Sequence, residues 1–89
     1  MASLSVQAAA VRLDALPIGR SARVLEVPAS VAAALETEGL APGEVVEIET
    51  RQPFRGPVVV KVGHARVALA ARIARTILVE PATADASTR

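Results

Sequence analysis

The chain has 89 residues, enough for one domain with a modest core. It contains no Cys, which excludes a disulfide framework, a zinc knuckle and thiol chemistry; its ten basic and nine acidic residues leave a net charge of +1, which argues against a dedicated nucleic-acid binder. Hydrophobic residues make up 52%, mostly nineteen Ala and thirteen Val, with Phe54 the only aromatic residue, and no apolar run approaches the ~20 residues needed to cross a bilayer.

Residues 1–12 read as an N-terminal extension. They lack the basic n-region and continuous apolar segment of a signal peptide, so a soluble, cytoplasmic protein is expected. Leu13 and Leu16 follow without a clear period, and Pro17-Ile18-Gly19 marks a turn. A strand is predicted over 21–27, with Ala22 and Val24 on one face and Arg23 and Leu25 on the other. Pro28 ends it. Ser30 is the expected N-cap of a helix over 31–38, whose stripe is Val31, Ala34, Leu35 and Glu38. So short a helix has to be held by packing.

Gly39-Leu40-Ala41-Pro42-Gly43 is the most informative stretch. Gly39 suits a left-handed helix C-cap, where a Cβ would clash. Leu40 occupies the position whose apolar side chain packs back on the last helical turn. Pro42 and Gly43 fit the two central positions of a type II turn. The chain is thereby delivered tightly onto a strand over 44–51, where Val46 and Ile48 face one way and Glu47 and Glu49 the other. Pro53 and Pro57 bracket a loop over 52–57. A strand over 58–62 buries Val58, Val60 and Val62 and shows Lys61 to solvent. Gly63-His64 forms a two-residue hairpin turn of the II′ kind. A strand over 65–70 faces Val67 and Leu69 inward, 71–75 makes a short helical turn, and a last strand over 76–80 carries Ile77 and Val79 to the core. Residues 82–89 are small and polar and are expected to be a disordered tail.

Only the first strand-to-strand connection is long enough for a crossover, so a parallel sheet is excluded. The expected fold is mainly β: a small, bent antiparallel barrel of about five strands over 13–81. One helix lies between strands 1 and 2, and a short helical turn precedes the last strand.

The ordered set Leu16-Pro17-Ile18-Gly19, Ala22, Val24, Leu35, Gly39-Leu40-Ala41-Pro42-Gly43, Val46, Ile48, Pro53-Phe54-Arg55-Gly56-Pro57, Val60, Val62, Ala68-Leu69, Ala74, Ile77 and Val79 resembles the FeoA family. These are small cytosolic proteins of bacterial ferrous iron uptake with an SH3-like barrel. Gly19, Gly39, Leu40, Pro42 and Gly43 are the structural signature. The resemblance implies association with the membrane ferrous iron transporter FeoB, whose cytoplasmic end carries a GTP-binding domain, and it implies no catalysis. The same fold occurs as the C-terminal domain of iron-dependent repressors, but this chain has no helix-turn-helix segment.

The residues themselves point to surface chemistry. No Ser/His/Asp arrangement and no phosphate-binding glycine loop is present, so an enzyme is not expected. His64 is the only imidazole, and a lone His in a turn without Cys or a carboxylate motif does not make a closed metal site. Glu44, Glu47 and Glu49 are the solvated face of a strand, with a carboxylate cation site as the less favoured reading. No resident cofactor is expected, and Fe²⁺ binding no more than weak. Phe54 beside Arg55, between two prolines, is either an exposed docking anchor or a lid over the barrel mouth. The favoured function is a docking module on the transporter, with Phe54, Arg55, Leu40 and Pro42 as contact candidates. A small metal-binding or metal-sensing domain is the alternative. Proline-rich peptides and single-stranded nucleic acids fit worse, because the chain has no Trp or Tyr to stack on.

Overall fold

A computed structural model describes residues 10–82. Its strands are β1 (Val11–Arg12), β2 (Ser21–Glu26), β3 (Val45–Arg51), β4 (Val58–Val62), β5 (Ala65–Leu69) and β6 (Leu78–Pro81). A 3-10 turn (Leu13–Ala15) follows β1, helix α1 (Ala29–Thr37) joins β2 to β3, and the one-turn helix α2 (Ala71–Ala74) precedes β6.

All six strands form one antiparallel sheet in the order β1-β6-β2-β3-β4-β5. The sheet curls because β2 and β3 each carry a register shift, between Val24 and Glu26 and between Ile48 and Thr50; an extra residue on one strand bends it and raises its twist. Side chains from β2, β3, β4, β5 and β6 meet in one core with Leu13, Leu16, Leu35, Leu40 and Ala74. Among the described residues no ladder joins β1 to β5, so the barrel is rolled up but not closed by hydrogen bonds.

The alternating strands follow their pattern: Val46 and Ile48 are buried, as are Val58, Val60 and Val62, while Lys61 is exposed. Several details differ from the sequence reading. The fold begins at β1, where Val11 pairs with Val79 and Arg12 with Leu78, so these two residues belong to the sheet and not to an extension. Two residues are too short a strand to show a period. Helix α1 starts at Ala29; Pro28 stands at the N-cap position with extended ψ, no side chain caps the first turn, and Ser30 lies inside the helix. Of the helix stripe, Leu35 is buried and Val31 half-buried, while Ala34 and Glu38 are exposed, so one edge of the helix rests on the sheet. The last strand begins at Leu78 because Thr76 closes the turn after α2, its Oγ1 donating to the Ile73 carbonyl at 2.7 Å. Ala82 is held too: its N–H donates to the Ser21 carbonyl at 2.9 Å. The rest of the expected tail, 83–89, lies outside the described residues.

The Gly39–Gly43 corner takes the expected form. The Leu40 N–H donates to the Leu35 carbonyl at 2.9 Å and the Gly39 N–H to the Glu36 carbonyl at 2.9 Å, the paired bonds of a Schellman motif. The Glu44 N–H closes the next turn on the Ala41 carbonyl at 3.0 Å. Gly39 and Gly43 both have left-handed backbone, with φ of +94° and +95°. Leu40 is 0% exposed.

Candidate partner-docking site

The loop after β3 is built on a tight turn. The Gly56 N–H donates to the Pro53 carbonyl at 3.1 Å, and the Gln52 N–H to the Pro57 carbonyl at 3.2 Å. The two central residues, Phe54 and Arg55, have φ of +58° and +63°. A pair of positive φ values is the signature of a type I′ turn, whose twist matches an antiparallel ribbon such as β3–β4. Asn and Gly are the usual occupants, because a Cβ in left-handed backbone is crowded by the following carbonyl. Here a phenylalanine and an arginine hold these places. Gly56 is required by close approach: a Cβ there would lie 2.5 Å from the Gln52 Cβ.

Phe54 is 99% exposed. It is not a lid; the left-handed turn aims it away from the core. Arg55, also exposed, lines a depression of about 160 Å³ together with Arg51, Gly56, Val58, Ala71 and Arg75. The Arg51 guanidinium is anchored there by donating to the Leu16 carbonyl.

The other two contact candidates do not join this surface. Leu40 is wholly buried, so it is a core residue with nothing to offer a partner; the motif that makes it recognisable also turns it inward. Pro42 is exposed but precedes β3, while Phe54 follows it. The intervening strand is roughly 20 Å long at ~3.3 Å per residue, so Pro42 and Phe54 occupy opposite ends of it. Of the signature glycines, Gly19 supports the strand framework, its N–H donating to the Ile48 carbonyl at 2.9 Å.

The polar groups elsewhere are spread out. His64 is exposed in the β4–β5 turn. Glu49 accepts from Arg66 Nε at 2.5 Å across the width of β4, and this hydrogen bond, with the charge behind it, holds the guanidinium above its ordinary pKa. Among the described residues no three His, Asp or Glu side chains converge in a way that would hold a metal ion. No helix among them is long and apolar enough to cross a membrane.

The FeoA domain family matches residues 11–81, from β1 to the end of β6. The chain belongs to the FeoA domain family. The fold agrees with this membership. An iron uptake regulatory protein (FeoA) superposes with a TM-score of 0.73 at 25% identity, covering 82% of this chain and 97% of that one. Iron(II) transport protein A from Clostridium thermocellum gives 0.71 at 36% identity, over 80% of this chain and 45% of that one. The T. acidophilum IdeR gives 0.71 at 26% identity, over 83% of this chain but 35% of that longer one. No curated protein matches the chain.

The sequence singled out Phe54 and Arg55 but not Arg51, Arg72 and Arg75, which line hollows together with Arg55. Arg51 ends a strand, Arg72 lies within α2 and Arg75 follows it, so no local spacing announces that they share a surface.

Proposed function

We propose that this protein is a non-catalytic accessory module of bacterial ferrous iron uptake that acts in the cytoplasm. In this reading it docks on the cytoplasmic part of a FeoB-type, GTP-binding iron transporter and modulates it. Family membership supports the iron-uptake setting. The single observation that carries docking as the mode of action is Phe54, 99% exposed on a turn held in left-handed backbone. A solvated aromatic on a strained, proline-flanked turn costs stability and gives the fold nothing in return, whereas a stiff loop loses little entropy on binding.

The test is binding of the purified protein to the transporter's isolated cytoplasmic region. Phe54→Ala should weaken that binding by roughly tenfold or more. Equal affinity of the variant and the parent would move the contact away from the loop. A second reading, a metal-sensing domain, is favoured by the likeness to the T. acidophilum IdeR. Anaerobic calorimetry with Fe²⁺ separates the two: the docking reading expects weak, non-stoichiometric binding, and a tight 1:1 site would replace it.

A further inference from the structure

The loop that carries Phe54 borders two adjoining hollows. One, of about 360 Å³, is lined by Arg55, Ala70, Ala71, Arg72 and Arg75. The other, of about 160 Å³, shares Arg55, Ala71 and Arg75 with it and adds Arg51. Four of the chain's ten basic residues thus gather on one face of a molecule whose net charge is only +1. The single acidic group on their walls, Asp14, is already engaged by Arg12 at 3.0 Å. Neither Arg55, Arg72 nor Arg75 has an ion-pair partner among the described residues. On β3, Glu49 is committed elsewhere, to Arg66.

We propose that these hollows bind an acidic peptide segment, a stretch of a partner protein rich in Asp and Glu with an apolar side chain that packs on Phe54. The proposal deepens the docking reading and rests on the loop being a protein-binding surface.

Three features select this occupant. All four cations are arginines, whose planar forks donate to carboxylates in pairs of parallel hydrogen bonds, which lysine cannot do. They line recesses floored by Ala70, Ala71 and the buried Val58, and a recess admits a side chain, whereas a flat bilayer meets only what projects furthest. One aromatic residue gives a nucleic acid a single stacking site, while it suffices for one apolar anchor of a peptide.

The experiment is fluorescence anisotropy of the purified protein with a labelled synthetic peptide of ~10 residues, alternating Glu and Asp around a central Leu. A sequence-matched peptide with Lys in place of the acids and vesicles of phosphatidylglycerol are the other arms. The acidic peptide should bind and the basic one should not. Raising salt from ~50 mM to ~200 mM should weaken binding several-fold, since the contacts are exposed charges. Arg72→Glu with Arg75→Glu should lower affinity at least ~tenfold with an unchanged thermal midpoint, because both side chains are solvent-exposed, and Lys61→Glu on the opposite strand face should leave it unaltered. Binding to the vesicles but not to the peptide, or peptide binding indifferent to the double charge reversal, overturns the proposal. The two readings fail separately. A transporter region that binds while the acidic peptide does not sinks the groove and leaves docking intact. A peptide that binds while the transporter region does not keeps the groove and removes that transporter as its partner.

Discussion

Two connections flank β3, and they use the same ingredients to opposite ends. The corner before it, Gly39 to Gly43, and the loop after it, 52–57, each combine proline, glycine and left-handed backbone. In the corner, glycines take the positive φ values and the one large side chain, Leu40, is 0% exposed. In the loop, Phe54 and Arg55 take them and Phe54 is 99% exposed. The corner is arranged to lower the free energy of the fold. The loop spends on the order of 1–2 kcal/mol per residue in left-handed strain to hold an aromatic and a cation in solvent. A compact domain tolerates such strain where the side chains displayed serve something other than folding.

That contrast can be broken most forcefully at Leu40. Leu40→Ala should cost ~2–5 kcal/mol in chemical denaturation, the range for deleting a fully packed leucine. A loss of less than ~0.5 kcal/mol would mean that the corner does not anchor the core. Phe54→Ala is the mirror experiment. The thermal midpoint should stay where it is, while binding to the transporter's cytoplasmic region falls roughly tenfold, about 1.4 kcal/mol. A large drop in stability with binding intact would make the loop a second corner. Arg55→Gly sharpens the comparison from the other side. Glycine relieves the left-handed strain at φ +63° but adds freedom to the unfolded chain, so a net gain of about 0.5–1 kcal/mol is expected, together with weaker docking. No gain would show that the turn is not strained. The smallest effect belongs to Arg66→Gln. Its pair with Glu49 is solvent-exposed, and the thermal midpoint should not move beyond experimental scatter. A clear loss would mean that the pair clamps β5 to β3.

The corner was legible because its physics is local. Helix cap, hydrophobic return and turn are decided by neighbours within a few residues, and Gly39-Leu40-Ala41-Pro42-Gly43 spells them in order. The same is true of β3 and β4, whose period of two survives in the sequence. Helix α1 was legible in its existence and not in its start, because Pro28 stands at the N-cap with no side-chain cap, while Ser30, the residue type that signals one, lies inside the helix. Strand β1 was not legible, since a pair of residues becomes a strand only when β6 lies beside it. The site divides in the same way. Phe54 and Arg55 drew notice as the lone aromatic next to a charge, but either orientation of Phe54 was open until the backbone of the turn was known.

What the sequence alone determined, then, is the mainly β class, the inward face of β2 to β6, the Gly39–Gly43 corner and the FeoA resemblance, since all of these are written in short-range pattern. The tertiary structure decided that Leu40 is core and unavailable to partners, that Phe54 stands in solvent, that the described residues form six strands, and that Arg51, Arg55, Arg72 and Arg75 share a face. Those outcomes depend on which distant segments the curled sheet brings together, and no window of a few residues contains them.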